Sequence, residues 1–188
     1  MSRVILIGAS TGGPAHIEKI LSSLAEPLHC IIIIAQHMGS EFLPSFVKRL
    51  ALKTNHTIEL VADQMTLQRG NIYVANHHCD LIQKEFSIEL KVTQTSTAPY
   101  NPEINYLFHS ATKLLPKHQI LATLLTGIGD DGVNGCKELA KLGASCLAES
   151  QKTAIVYGIP ARAKERIPTI EVMDLDDIIT KIKNFGET

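Results

Sequence analysis

An excess charge of either sign is missing from this sequence. Lysine and arginine number 18 against 19 aspartates and glutamates, a formal net charge of −1. No basic stripe marks a nucleic-acid footprint, and no polybasic patch marks a membrane surface. No apolar run approaches the roughly 18 residues of a membrane span, which argues against direct membrane insertion. The start lacks a charged segment ahead of an apolar one, so no secretory leader is expected. The four cysteines, Cys30, Cys79, Cys136 and Cys146, are scattered without a C-x-x-C pair. That excludes the usual zinc-knuckle and redox spacings and fits reduced thiols in a cytoplasmic protein. Internal repeats and low-complexity tracts are also absent. What remains is 188 residues, 45% of them hydrophobic. That suffices for a sizeable core, and one domain over 1–188 is the simplest count.

The first stretch is the most informative. Val4-Ile5-Leu6-Ile7 reads as a buried strand, Gly8-Ala9-Ser10-Thr11-Gly12 fits G-x-S-x-G, and Pro14 opens a helix with Ile17, Ile20, Leu21 and Leu24 on one face. A strand–turn–helix of this kind exposes a serine oxygen at a sheet edge, where the helix N-terminus favours developing negative charge. The same pattern also fits a phosphate cradle or a purely structural turn. Residues 30–35, Cys-Ile-Ile-Ile-Ile-Ala, form a second buried run that ends at Gln36-His37, after which Ser40 is expected to cap a helix bearing Phe42, Phe46, Val47 and Leu50. Strand and helix alternate as in a parallel sheet, so Ser10 and His37 belong to the same strand-end edge.

The middle changes character. Short strands are expected at 58–61, 71–75, 80–83 and 88–92, the last two joined by residues 84–87 as an antiparallel hairpin. A Thr/Ser-rich loop at about 93–102 reads as a flexible surface segment, and Asn101-Pro102 starts a helix with Ile104, Leu107, Phe108 and Ala111 on one side. A third buried strand, 120–126, runs into Gly127-Ile128-Gly129-Asp130-Asp131-Gly132, and the next helix stops at Gly143 in left-handed conformation. Strands at 145–148 and 171–173, a helix opened by Gly158-Ile159-Pro160 and a last helix capped by Asp174 complete the chain. The expected fold is α/β, a three-layer, doubly wound, mostly parallel sheet with an antiparallel hairpin in the middle of the chain.

Three buried strands thus end in Ser10, in His37, and in Asp130 or Asp131. A serine hydroxyl needs an imidazole to take its proton, and the imidazole needs a carboxylate to fix its tautomer. The order Ser…His…Asp differs from that of the usual α/β-hydrolases. Glycine-turn amides, especially near Ile128, are candidate oxyanion donors.

Residues 8–14 (GASTGGP), Gln36-His37-Met38, residues 126–132 (TGIGDDG) and Tyr157-Gly158-Ile159-Pro160 together resemble the chemotaxis receptor methylesterase family (CheB, protein-glutamate methylesterase), and Phe108-His109-Ser110 resembles a further family stretch. The resemblance runs from residue 3 to about 180. It implies hydrolysis of glutamyl γ-methyl esters on the cytoplasmic helices of methyl-accepting chemotaxis receptors, with deamidation of certain receptor glutamines, in chemotactic adaptation. By motif position Ser10 is the nucleophile, His37 the base and Asp131 the orienting acid. Thr11 and the Ile128 amide help bind the reacting carbonyl. Asp130 falls where the family often has Asn. No metal and no organic cofactor is implied, and a monomer is the default. Family members usually carry a receiver domain ahead of this region; none is expected within 1–188. The basic stretch common before the Phe-His-Ser helix is here Ala98-Pro99-Tyr100-Asn101-Pro102-Glu103. Ile128 stands where Met is frequent.

Other features carry plainer readings. His77, His78, Cys79 and Asp80 are metal-ligand types, but contiguous strand residues point to opposite faces, so no metal site is expected. His16 is expected at the surface or behind the site. Cys136 and the Leu/Ile stripes are core. The competing functions are a phosphate- or nucleotide-binding α/β domain and a non-catalytic adaptor. Against the first, a dinucleotide site expects an acidic residue where this second strand ends in Gln36-His37.

Overall fold

The computed structural model describes residues 1–25, 27–93, 99–115 and 117–187. The elements in order are β1 (Arg3–Ala9), α1 (Gly13–Ser22), β2 (Ile31–Gln36), α2 (Leu43–Ala51), β3 (Ile58–Leu60), β4 (Met65–Thr66), β5 (Ile72–Val74), β6 (His78–Gln83) and β7 (Ile88–Thr93). Then come α3 (Ile104–Ala111), β8 (Gln119–Leu124), α4 (Val133–Lys141), β9 (Ser145–Glu149), α5 (Ile159–Arg166), β10 (Glu171–Met173) and α6 (Leu175–Glu187).

Seven strands form one sheet in the order β10-β9-β8-β1-β2-β5-β3, each adjacent pair parallel. Parallel sheets bury both faces, which explains why β1 and β2 are unbroken apolar runs rather than alternating ones. Val4, Leu6, Ile31 and Ile33 join a core with side chains of α3, α4 and α5. Ile5, Ile7, Ile32 and Ile34 join a second core with α1, α2 and α6. Burial of each such side chain contributes about 1.5–3 kcal/mol. The layers are therefore helix, sheet, helix. The chain leaves β1 toward β2 and leaves β8 toward β9, in opposite directions along the sheet. The crevice between the C-termini of β1 and β8 is the topological switch point, where open α/β sheets bind ligands.

The expected hairpin is present, with Asp80 opposite Lys91 and Gln83 opposite Ile88. A third strand, β4, pairs with β7 to make a small antiparallel sheet. At two residues it is too short to show a periodic pattern. Strand β6 begins at His78, two residues before the expected start. The helix α4 ends as expected, with Gly143 at φ +94 and the Ala144 amide bonded back to the Leu139 carbonyl at 3.0 Å.

Two helix starts differ, and α6 starts directly after Asp174 as expected but without its side-chain cap. Ser40 does not cap α2; the helix begins at Leu43 without a side-chain cap, because Pro44 in its first turn fixes a helical φ there. Phe42, expected on its apolar face, is largely exposed. Asn101-Pro102 is a cis bond and α3 begins only at Ile104. Its first free amides, on Ile104 and Asn105, are taken by the Asp131 carboxylate at 2.7 and 2.8 Å. The Asp174 carboxylate is drawn to Ser150 and Lys152 rather than to α6. Of the surface loop expected at 93–102, residues 94–98 lie outside the described residues.

Candidate active site

Ser10 and His37 follow directly paired residues, Ala9 of β1 and Gln36 of β2. Neighbouring strands lie about 5 Å apart, so the two residues leave the sheet side by side. The His37 amide bonds to the Ala9 carbonyl at 2.9 Å, continuing the ladder into the site. The Gln36 amide nitrogen donates to both the Ser10 and His37 carbonyls, each at 2.9 Å. Gln36 thereby ties the two turns together, and Gly13 makes room for it. A Cβ at position 13 would lie 2.1 Å from Gln36 Oε1.

Asp131 arrives from the segment after β8. Its Oδ2 lies 2.6 Å from His37 Nε2. The carboxylate is 4% exposed and takes three donors in all: His37, the Ile104 amide and the Asn105 amide. Partial positive charge at the α3 N-terminus therefore holds this anion in place. With Nε2–H donated to Asp131, the imidazole presents Nδ1 as its basic nitrogen. Nδ1 is buried and has no hydrogen-bond partner among the described residues. A buried acceptor left open in this way can take a proton from a donor brought beside it. Asp130 turns away and pairs with Arg166 at 2.8 Å.

The turn carrying Ser10 is clamped by Thr126. The Ser10 amide donates to the Thr126 carbonyl at 3.0 Å, and Thr126 Oγ1 donates to the Thr11 carbonyl at 2.8 Å. Gly127 presses on Ser10, since a Cβ there would lie 2.6 Å from Ser10 Cβ. Thr11 is exposed and Ile128 is 62% exposed, both flanking this contact. Tyr100 stacks on the His37 ring, centroids 4.1 Å apart and planes 6° from parallel. That contact covers the imidazole from solvent.

Sequence reasoning did not single out Gln36, Tyr100, Thr126 or Glu149. Only Gln36 carried a signal, as a polar residue closing an isoleucine run. His16, expected at the surface or behind the site, is buried against Glu149. The residues weighed as metal ligands engage elsewhere. His78 contacts Asn101 and Glu103, Cys79 the His77 carbonyl, and Asp80 Tyr106 and Lys113. Among the described residues no group of three or more His, Cys, Asp or Glu is arranged to hold a metal. No helix among them is long and apolar enough to cross a membrane.

The structure is a doubly wound α/β domain that brings a serine, a histidine–aspartate pair and two glycine turns to its switch point. The family follows from the sequence: the CheB methylesterase model matches residues 5–182, and the chain belongs to that family. A protein-glutamate methylesterase/protein-glutamine glutaminase of Carboxydothermus hydrogenoformans is 34% identical over 96% of this chain and 52% of its own length. One from Methanosarcina barkeri is 32% identical over 95% of this chain and 51% of its own. The chain thus spans about half the length of the curated relatives it matches. The solved Thermotoga maritima CheB methylesterase catalytic domain shares the fold, with a TM-score of 0.91, 24% identity and 98% coverage of both chains.

Proposed function

We propose that this chain hydrolyses glutamyl γ-methyl esters on the cytoplasmic helices of chemoreceptors, and deamidates receptor glutamines, through an acyl-enzyme on Ser10. It acts in the cytoplasm as a monomer, and 1–188 works as a single catalytic domain. The observation that carries the reading is the His37–Asp131 contact of 2.6 Å, with the other imidazole nitrogen buried and unpartnered. His37 Nδ1 takes the Ser10 proton as Oγ attacks the ester carbonyl. Asp131 balances the imidazolium charge. The Ser10 and Gly127 amides are engaged by the carbonyls of Thr126 and Val156, so the neighbouring Thr11 and Ile128 supply the donors for the carbonyl oxygen. The tetrahedral intermediate collapses, the proton passes from His37 to the leaving oxygen, and methanol departs. Water then attacks the acyl-enzyme and gives a proton to His37, which passes it to Ser10 Oγ as the acyl bond breaks and glutamate leaves. A glutamine follows the same path with ammonia leaving. A phosphate cradle is disfavoured because the Gly13 amide already donates to the Ser10 carbonyl at 2.9 Å.

The test is methanol release from a methylated receptor cytoplasmic fragment. Ser10→Ala and His37→Ala should each lower kcat by about 10³-fold or more, because the members act as a unit. Undiminished release by Ser10→Ala refutes the proposal.

A further inference from the structure

Glu149 closes β9 one residue beyond the expected strand and is fully buried. Its Oε2 accepts the Thr126 amide at 2.9 Å, and its Oε1 accepts the Thr153 hydroxyl at 2.9 Å. His16 Nδ1 lies 3.1 and 3.2 Å from the two oxygens. A buried carboxylate is expensive, and an apolar residue of similar size often serves stability as well or better. Such a group calls for a role beyond packing.

The contacts show which parts it joins. His16 sits in the first turn of α1, the helix that begins where the Ser10 turn ends. Thr126 holds that same turn at two points, through the Ser10 amide and the Thr11 carbonyl. It also accepts the Val156 amide at 2.8 Å. Thr153 in turn accepts the Leu175 amide at 3.1 Å, which fixes the 150–156 loop to α6. One carboxylate therefore grips the nucleophile turn from its helix side and from its strand side. The segment it grips leads directly into Gly127 and Ile128.

We infer that Glu149, paired with His16, is a positioning residue for the nucleophile: it sets the spacing between the Ser10 turn and the 126–128 segment that faces it. The inference rests on the serine-esterase reading above. Glu149 touches no reacting atom. A shift of about 1 Å in such an arrangement can lower a rate about 100-fold. Leucine at position 149 leaves the Thr126 amide buried without its partner and the half-buried Thr153 hydroxyl without its acceptor. Glutamine restores the first, its carbonyl accepting from Thr126, and meets Thr153 in reversed sense, its amide donating to a lone pair of the hydroxyl.

The test compares wild type, Glu149→Leu and Glu149→Gln in two assays beside thermal melting. One is kcat and KM for methanol release. The other is the rate at which a small phosphonofluoridate labels Ser10, which needs no receptor. Glu149→Leu should lose about 10- to 100-fold in kcat and in labelling rate, with KM within about twofold. Glu149→Gln should recover to within about threefold of wild type. A folded Leu variant that labels and turns over like wild type overturns the inference alone. So does a Gln variant as slow as the Leu variant. Wild type that resists labelling overturns the esterase reading and this inference with it. If the Leu variant does not fold, His16→Phe decides. It removes the contact that ties Glu149 to α1 at 3.1 Å, and unchanged labelling there overturns the inference.

Discussion

Replacing Asp131 by asparagine keeps the shape of the side chain and removes its charge. The native carboxylate faces three donors. Oδ2 meets the Ile104 amide at 2.7 Å and His37 Nε2 at 2.6 Å, and Oδ1 meets the Asn105 amide at 2.8 Å. A carboxamide has one oxygen, so it satisfies one side only. If its NH2 faces Asn105, one buried amide is orphaned, a loss of about 1–3 kcal/mol. His37 then keeps its tautomer but forms its imidazolium without a counter-charge. Two unit charges about 4 Å apart at an effective dielectric of about 20 interact by about 4 kcal/mol. Losing that in the transition state lowers kcat about 10³-fold. If the NH2 instead faces His37, the imidazole must carry its proton on Nδ1, the nitrogen that Ser10 needs as a base. A wrong tautomer lowers kcat about 10⁴-fold in the serine-protease template. The expected fall therefore lies between about 10³ and 10⁴. Methanol release under single-substrate saturation measures it. For a domain of this size the orphaned amide should also lower Tm by roughly 2–10 °C. A kcat within threefold of wild type would refute the assignment of Asp131 as the partner of the base.

Tyr100→Ala removes the ring stacked on His37, an interaction worth about 0.5–1.5 kcal/mol, so kcat should fall about 2- to 10-fold, while Tyr100→Phe should keep it. Equal rates for all three forms would show that the stack does nothing for the base. Gly127→Ala would put a methyl 2.6 Å from Ser10 Cβ and 2.8 Å from Ile159 Cδ1. The fold should lose about 1–3 kcal/mol and kcat about 100-fold, read by melting and methanol release. Burial pushes the Cys30 and Cys79 thiols up from 9.0 to about 12. In native protein at pH 8 both should resist iodoacetamide, which attacks the thiolate. Because their folded values are raised, their contribution to stability is full below about pH 9 and is lost as pH rises toward 12. The unfolded chain gives up these protons first, at a cost of about 1.4 kcal/mol per thiol per pH unit. Urea melts from pH 8.5 to 10.5 should fall less steeply in a Cys30→Ala/Cys79→Ala double variant.

The parallel sheet was legible because its central strands are apolar on both faces. Runs such as 31–34 admit few other readings. The strand ends were legible for the same reason: a serine or histidine just past such a run must lie at the sheet edge. Features set by contacts distant in sequence were not. The start of α3 depends on Asp131, 27 residues away from Ile104. Local pattern ends the strand at 148, since Glu149, the charged residue that follows, reads as an exit to solvent. Here it is instead a buried acceptor for residues 23 and 133 positions away. Ser40 looked like a cap by local pattern, and the proline in the helix's first turn prevailed. A two-residue strand such as β4 has no period to detect.

The two buried carboxylates share a physical origin. A parallel sheet leaves unpaired amides just beyond its last ladder bonds, and helices that begin nearby add more. Asp131 answers this at the start of α3, and Glu149 answers it beyond the end of β8. Each has acceptor capacity left after the amides are satisfied, and each uses it on a histidine: His37 in one case, His16 in the other. The amides thus fix where the carboxylates sit, and the carboxylates fix the imidazoles. Backbone satisfaction and site geometry are one constraint here, so removing either acid should affect both stability and rate. The two acids differ in what an amide substitute can repair. Glu149 needs an acceptor on one oxygen and can tolerate a donor on the other, because Thr153 offers a lone pair. Asp131 meets N–H donors at both oxygens, so no carboxamide orientation serves it. Glutamine at 149 should therefore rescue much of what leucine loses, whereas asparagine at 131 should not rescue the rate lost in Asp131→Ala.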